Sequence, residues 1–300
     1  MRRPASAPET PGCHGVSDPV LGDRLHCSYE PAQIVTGEWT ERHRKQYDAK
    51  GAVTVRVSES ANIEFLRDLP GLLSVWGIGT LTDDTPVFDV RSLEQLVLYT
   101  RCKKPLAADR LPELRDLVID GRPGLDSLRG HPSLRRLQVH GYGAGDIAGL
   151  GAPPLLQELA LHGKWRPLGL TGLASLPALR EVRLTETTVD DVSVLAACPR
   201  IQHVELNVRT SDRRPVDVSP LAAMPDLRSV AIGRRPVRGL ETLLGAPRLI
   251  KFGVHWGAVA PEEQLAVQRL REEVREREER LMHATARGAP SRSANVEGEG

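Results

Sequence analysis

An apolar triplet of the form L-x-x-L-x-L recurs at a nearly constant interval along residues 93–254, and it constrains the fold more than any other feature. From one triplet to the next, the first apolar residue moves by 21, 20, 22, 23, 22, 26 and 22 positions. The triplets begin at Leu93, Leu114, Leu134, Leu156, Leu179, Ile201, Leu227 and Leu249. A unit of this length cannot bury its own leucines, whereas stacked units share one continuous core. The interval therefore predicts a solenoid in which each triplet lies on one strand of a parallel sheet.

Two further patterns mark the corners of each repeat. Proline stands two residues before seven of the triplets, where its missing N–H ends regular structure. A second apolar cluster precedes each corner, as in residues 170–176, and indicates a short 3₁₀ or helical segment opposite the strands. Around residues 72–78 the pattern allows two registers, which are Leu72/Val75 and Leu73/Trp76/Ile78.

The remaining segments of the chain carry no such repeat. Residues 1–50 are rich in Pro, Gly, Ser and charge, and we expect a mostly disordered polar segment with a short helix near 38–48. We expect the solenoid to span residues 51–258, with an alternating Val strand as its first element. We expect residues 259–287 to form a helix that covers the last strand, and residues 288–300 to form a disordered tail.

The repeats carry a family resemblance. Residues 216–233 (VDVSPLAAMPDLRSVAIG) closely resemble a repeat of bacterial leucine-rich-repeat proteins of the internalin-like type, and 170–186 and 189–208 look similar. The resemblance covers residues 62–255 and implies an α/β fold, the leucine-rich-repeat solenoid. Such a solenoid has a curved parallel β-sheet on its concave side, short helical or 3₁₀ segments on its convex side, and here a C-terminal capping helix. It implies a binding scaffold and no particular chemistry.

One feature departs from this repeat type. Many such repeats carry asparagine three residues after the last apolar residue of the triplet. In this chain the same position holds Arg101, Arg122, Tyr142, Lys164, Thr187, Arg209 and Arg235. We expect the basic side chains among them to reach solvent, because an unpaired charge is costly to bury. We also expect the 26-residue repeat at 201–226 to bulge at VRTSDRRPV.

Composition argues against several classes of protein. Lys and Arg number 40 against 39 Asp and Glu, and a net charge of +1 argues against general binding to nucleic acid or anionic membranes. No apolar run reaches a membrane span, and the start of the chain lacks the apolar core of a secretion signal. Four cysteines do not make a disulfide scaffold. We expect a cytoplasmic monomer with reduced thiols and no cofactor.

The polar positions of the triplets face the open, concave side of such a sheet and form three rows across the strands. The amino-end row is Gln95, Asp116, Arg136, Glu158, Glu181, His203, Ser229 and Lys251. The middle row is Val97, Val118, Gln138, Ala160, Arg183, Glu205, Ala231 and Gly253. The carboxyl-end row is Tyr99, Asp120, His140, His162, Thr185, Asn207, Gly233 and His255. This varied, evenly spaced surface predicts a protein partner. The candidate partner-binding residues are Tyr99, Asp120, His140, His162, Arg183, His203, Glu205 and His255.

Zinc binding is the alternative interpretation of the carboxyl-end row. Asp120, His140 and His162 fall on successive strands, and their side chains are zinc ligands or an acid and a base. However, parallel side chains on a ladder do not converge on a metal without further groups that orient them. A surface histidine on a binding face explains the same pattern.

Near the amino terminus two adjacent pairs, Cys13/His14 and His26/Cys27, offer four more zinc ligands. Zinc sites usually separate the members of a pair by two or more residues, so free thiols are the default here. The sequence carries no nucleophile elbow, no H-E-x-x-H and no P-loop. It therefore favours a non-catalytic scaffold over a zinc-dependent enzyme or a zinc-stabilised module.

Overall fold

The computed structural model describes residues 29–60, 62–233, 235–255 and 259–288, with side chains up to residue 283. The strands are β1 (Ala32–Thr36), β2 (Thr54–Ser58), β3 (Ser74–Gly79), β4 (Gln95–Thr100), β5 (Asp116–Asp120), β6 (Arg136–His140), β7 (Glu158–His162), β8 (Glu181–Thr188), β9 (His203–Arg209), β10 (Val216–Asp217), β11 (Ser229–Ile232), β12 (Val237–Arg238) and β13 (Lys251–Val254). The α-helices are α1 (Glu41–Lys50) and α2 (Gln264–Gly288). Within these ranges no helix is long and apolar enough to cross a membrane.

One parallel sheet organises the molecule. Eleven strands follow one another in chain order from β1 to β13, while β10 and β12 pair in a separate two-stranded parallel sheet. Each repeat therefore adds one strand beside the strand of the preceding repeat, as the leucine interval predicts. The order confirms the solenoid, because parallel neighbours need a connection that crosses from one end of a strand to the start of the next.

The apolar triplets lie in register along the inner side of this sheet. Leu137 pairs with Leu117 on one side and Leu159 on the other, and each is no more than 1% exposed. In β3 the register is Leu72/Val75, since Val75 pairs with Leu96. Trp76 and Ile78 therefore face the concave side. Gly77 stands where a leucine would otherwise lie, and a Cβ there would come within 3.1 Å of a Leu98 methyl group.

Short 3₁₀ segments close the convex side between successive strands. They are Glu64–Asp68, Thr85–Asp89, Ala108–Arg110, Leu125–Leu128, Ile147–Leu150, Thr171–Ser175, Ser193–Ala197, Ser219–Ala223 and Leu240–Gly245. Their leucines point inward, and Leu128, Leu173 and Leu221 are fully buried. A repeat of about 22 residues leaves room for one such turn only, so the convex layer is thin and the core lies directly beneath the strands.

The boundary expected at residue 51 is wrong, because the sheet begins earlier. β1 pairs with β2 along its whole length, and Val35 is completely buried. Helix α1 lies close to the predicted position and is capped by Thr40 at its start and by left-handed Gly51 after its end. Tyr47 joins the helix to the core and donates to the carbonyl of Pro70 over 2.9 Å. The strand AQIVT contains no leucine, so the triplet pattern does not find it.

Helix α2 covers the other end of the solenoid. Val267, Leu270 and Val274 are buried against the last repeat. The guanidinium of Arg277 donates to the carbonyls of Leu244 (2.8 Å) and Ala246 (2.5 Å), at the end of the last convex segment. The helix thus shields the apolar side of the final repeat from water, which is the role predicted for a capping helix.

Candidate binding surface on the concave face

Direct strand register builds the three rows of the concave face. In the amino-end row each residue from Gln95 to Lys251 pairs with its neighbour on the adjacent strand. The middle row follows the same register from Trp76 to Gly253. In the carboxyl-end row the register runs from Asp120 to Asn207. Side chains on neighbouring strands of one row are therefore held about 4.8 Å apart at the backbone.

An apolar cluster occupies the first part of this face. Trp76, Val97 and Val118 are buried together, separately from the main core, and Tyr99 packs against them. The indole Nε1 of Trp76 lies 3.2 Å from Oε1 of Gln95, which fixes the ring. Sequence reasoning missed Trp76 as a member of this surface, because two registers were possible for its strand.

A chain of contacts between side chains of four strands, β4, β6, β7 and β8, forms the centre of the carboxyl-end row. The hydroxyl of Tyr99 lies 2.8 Å from Nε2 of His140. The rings of His140 and His162 stack with centroids 4.4 Å apart and planes inclined by 4°. Nδ1 of His162 contacts the hydroxyl of Thr185 over 2.5 Å. Four side chains that come from four different repeats are thus held in one arrangement.

Gln138 contacts both histidines. Its amide nitrogen lies 2.7 Å from Nε2 of His140 and 3.4 Å from Nε2 of His162. An imidazole nitrogen has one lone pair or one N–H, so Nε2 of His140 is shared between Gln138 and the hydroxyl of Tyr99. Burial, and next the neighbouring His162, lower the pKa of His140 to about 4. Burial also lowers the pKa of His162. Both rings are therefore neutral at pH 7.

Asp120 lies on the strand between Tyr99 and His140, but no hydrogen bond within the described structure joins it to either histidine. Burial raises the pKa of its carboxyl, against the opposing effect of Lys103 and Lys164. The stacked rings point their nitrogens at Tyr99, Gln138 and Thr185 instead of at a common centre. In the described part of the chain, no three His, Cys, Asp or Glu side chains are grouped to hold a metal ion. The zinc alternative at these residues has no support in this geometry.

The cysteines divide between the two parts of the chain. Cys13, His14, His26 and Cys27 lie outside the described residues, so their alternative role stays a prediction. Cys102 and Cys198 are buried free thiols. Burial raises the pKa of the Cys198 thiol, which takes the place of an apolar residue in the core.

Paired charges cover the rest of the amino-end and middle rows. Arg136 binds Asp116 through two parallel contacts of 2.6 and 2.5 Å. This carboxylate holds the pKa of Arg136 above its usual value. Arg183 lies 2.6 Å from Glu181 and 4.0 Å from Glu205. Most of these guanidinium and carboxylate groups are oriented by a neighbour on the same face, whereas Glu205 is exposed.

Glu158 lies on the strand between those two ion pairs, in register with Arg136 and Glu181. Burial raises its pKa, and the negative charge of Glu181 adds to the effect. Arg136 and Arg183 oppose it. The carboxylates of Glu158 and Glu181 thus lie on neighbouring strands at the centre of the amino-end row, flanked by Arg136 and Arg183.

The structure sorts the eight predicted residues into three groups. Three are in direct contact, two form a long ion pair, and the others lie on the face at separate places. The groups are Tyr99, His140 and His162; Arg183 and Glu205; and Asp120, His203 and His255.

The expectation that basic side chains after the triplets reach solvent is wrong for Arg122. Its side chain is 3% exposed and lies 2.5 Å from the buried carboxylate of Asp84. The burial is possible because the loop after β3 supplies a counter-charge, which the repeat pattern does not reveal. Arg101 and Lys164 are exposed as expected, whereas Arg209 is half-buried.

Comparison with known proteins agrees with this architecture. No protein-family model matches the sequence, and a search of curated proteins found no match. Among solved structures, an internalin from Listeria monocytogenes (inlF) matches with a TM-score of 0.53 and 19% identity, over 71% of this chain and 64% of the internalin. The chain has an internalin-like leucine-rich-repeat fold. This confirms, at the level of the fold, the resemblance of its repeats.

Two other leucine-rich-repeat structures match less closely. A leucine-rich-repeat protein of Leptospira interrogans has a TM-score of 0.43 at 13% identity, over 73% of this chain and 53% of the other. The functional domain of InlJ from Listeria monocytogenes has a TM-score of 0.49 at 12% identity, over 71% and 45%. The leucine-rich-repeat chain thus spans less than two thirds of each of these proteins, and at such identities the similarity shows the fold alone.

Proposed function

We propose that this leucine-rich-repeat chain binds a protein partner through its concave face and catalyses no reaction there. The observation that carries the proposal is the contact chain Tyr99–His140–His162–Thr185, which is held by the fold before any partner binds. Ordering side chains costs free energy on association, so a face ordered in advance binds with a smaller loss of entropy.

The distribution of side chains supports a protein rather than a nucleic acid as the ligand of this face. Aromatic and arginine side chains, which dominate the binding energy of protein interfaces, are present as Trp76, Tyr99 and Arg183. Carboxylates such as Glu158 and Glu205 lie among them and would repel a phosphate backbone. Eleven strands give a surface roughly 50 Å long, which is enough for a standard interface of about 800 Å² per partner.

Affinity capture from lysate of the native host, read out by mass spectrometry, tests the proposal. We expect the unaltered chain to retain one or a few proteins that a triple variant, His140→Ala/His162→Ala/Arg183→Ala, loses. A double variant on exposed residues away from the face, Asp126→Ala/Arg200→Ala, is the matched control and should retain them.

Two further measurements keep the test decisive. Thermal unfolding of each variant shows whether the fold is intact. Capture of the same proteins by the unaltered chain and the folded triple variant would contradict the proposal. Metal analysis of the purified full-length chain addresses the alternative: stoichiometric zinc would favour a zinc-stabilised module or enzyme, through residues beyond the concave face described above.

A further inference from the structure

The loops that follow β7, β9 and β11 bring an arginine-lined pocket to the carboxyl edge of the sheet. The pocket is a cavity of about 430 Å³ lined by Arg209, Arg213, Arg214, Arg235 and Pro236. Arg209 ends β9, and Arg213 and Arg214 belong to the bulge of the 26-residue repeat. Arg235 follows β11. The extra residues of that repeat therefore place two arginines, Arg213 and Arg214, at this edge of the sheet.

Trp165, from the loop after β7, holds part of the pocket in place. The guanidinium of Arg235 lies 4.2 Å from the indole centroid and that of Arg209 lies 5.1 Å from it. Arg209 also donates to the carbonyl of Trp165 over 3.4 Å. Both Trp165 and Arg213 have left-handed backbone, with φ of 57° and 63°, which non-glycine residues adopt at a cost. Arg209 and Arg235 are thus oriented by contacts that neutralise none of their charge.

Most of the positive charge at this pocket has no counter-charge. Among the described residues, no carboxylate lies within 4.0 Å of the guanidinium groups of Arg209, Arg213 and Arg235. Arg214 is the exception, because it lies 2.5 Å from Asp212. The nearby carboxylate of Asp190 instead accepts hydrogen bonds from the amide and hydroxyl of Ser211. Three guanidinium groups that line the pocket therefore carry charge that no carboxylate of the described residues neutralises.

A second arginine-lined pocket shows that arginines alone do not make such a site. That cavity, of about 590 Å³, is lined by Arg228, Pro247, Arg248, Ile250, Arg277, Arg280 and Leu281. Within it Arg248 pairs with Asp226, Arg280 pairs with Glu273, and Arg277 pairs with Glu273 as well as donating to backbone carbonyls. Most of its charge is neutralised, whereas that of the pocket at Arg209 is not.

We propose that the pocket formed by Arg209, Arg213 and Arg235 binds a phosphate monoester. A carboxylate offers one charge and two oxygens, whereas a phosphate monoester carries nearly two charges and three acceptor oxygens at pH 7. Planar guanidinium groups bind such oxygens in pairs, with charge-assisted hydrogen bonds. The cavity is larger than one oxyanion, so it also accommodates part of the group that carries the phosphate.

Two sources supply this chemistry: a small phosphorylated molecule and a phosphorylated side chain of a polypeptide. The pocket lies beside the concave face but does not need a partner on it. The inference is therefore independent of the proposed function, and it is tested by direct titration of defined probes, with no captured protein involved.

Isothermal titration calorimetry of the full chain at constant ionic strength is the experiment. The probes are inorganic phosphate, a tripeptide with a central phosphoserine, and the same tripeptide with glutamate. We expect saturable binding of both phosphate probes and at least roughly tenfold weaker binding of the glutamate peptide, because hydrogen bonds to charged groups are strong. A phosphopeptide that binds tighter than phosphate assigns the site to a polypeptide; the reverse order assigns it to a small molecule.

Variants locate the binding within the molecule. Arg213→Ala/Arg235→Ala should weaken phosphate binding at least roughly tenfold, and Arg213→Lys/Arg235→Lys should recover part of it, since charge is kept and the fork is lost. Arg248→Ala/Arg280→Ala, from the other pocket, should bind as the unaltered chain does. The proposal is overturned by the absence of saturable phosphate binding, or by equal affinity in the folded Arg213/Arg235 alanine variant and the unaltered chain.

Discussion

Strands β6 and β7 present two opposite faces that alternate residue by residue. On the core face Leu137 and Val139 are essentially inaccessible to water and pair with equally apolar neighbours. On the concave face, one residue along, Gln138 and His140 are half-buried and contact His162 and Tyr99 on other strands. The core face repeats nearly the same side chains in every turn, whereas the concave face differs at each one.

This difference separates what stabilises the fold from what distinguishes the surface. Each repeat touches only its neighbours, so the core is a series of similar contacts. Loss of one leucine therefore leaves the contacts of the other repeats in place. The contact chain Tyr99–His140–His162 occurs once, so we expect its loss to leave the solenoid intact and, if the proposed function is correct, to reduce binding of the partner. We therefore expect substitutions on the core face to reduce mainly stability. We expect substitutions on the concave face to reduce mainly the proposed binding.

The largest effect on stability is expected at Arg122 and Asp84, because their buried side chains are charged instead of apolar. Arg122→Met leaves the carboxylate of Asp84 buried without its counter-charge, and we expect the free energy of unfolding to fall by about 3–5 kcal/mol. Urea unfolding of the variant measures the loss.

The matched control removes both charges. In Arg122→Met/Asp84→Leu no charge stays buried, so most of the stability should return. If the single variant loses less than about 1 kcal/mol, the pair is solvated in solution and the core at this edge is open to water.

Leu137→Ala measures the core face directly. Removal of a fully buried leucine leaves a cavity, and we expect a loss of about 2–5 kcal/mol in urea unfolding. Gln138→Ala, on the next residue and the opposite face, should cost no more than about 1 kcal/mol. Similar losses at the two positions would show that the concave hydrogen bonds are part of what holds the solenoid together.

The repeat itself explains how far the sequence predicts this structure. Core positions, strand order and the three rows follow from the leucine interval, because a side chain on a strand alternates with period two. The contact between Tyr99 and His140 does not follow, since it spans two strands and depends on side-chain rotamers. The leucine interval does not predict β1, because this strand has no leucine. It does not predict the pocket at Arg209 either, because that pocket joins loops of separate repeats.

The burial of His140 on the concave face makes the stability depend on pH. An unfolded histidine titrates near 6.5, whereas His140 in the fold has a pKa of about 4. Between these values the unfolded chain binds more protons, so stability is present above pH 6.5 and is lost as the pH falls towards 4. Nuclear magnetic resonance of the ring protons gives the titration of this residue. His140→Gln should reduce the slope of stability against pH, and titration of the native ring near 6.5 would show that it is solvated and unstacked.

The smallest change in stability is expected at Glu205, which lies on the concave face. This carboxylate is 48% exposed and lies 4.0 Å from Arg183, which is held more closely by Glu181 at 2.6 Å. Glu205→Ala should therefore change the free energy of unfolding by less than about 0.5 kcal/mol. If the concave face binds a protein, the same substitution removes a charge from its rim and alters the association rate and its dependence on salt, with little change in dissociation. A loss of stability comparable to that of Leu137→Ala would mean that this ion pair stabilises the fold. The core face would then not be the only face of this strand that determines stability.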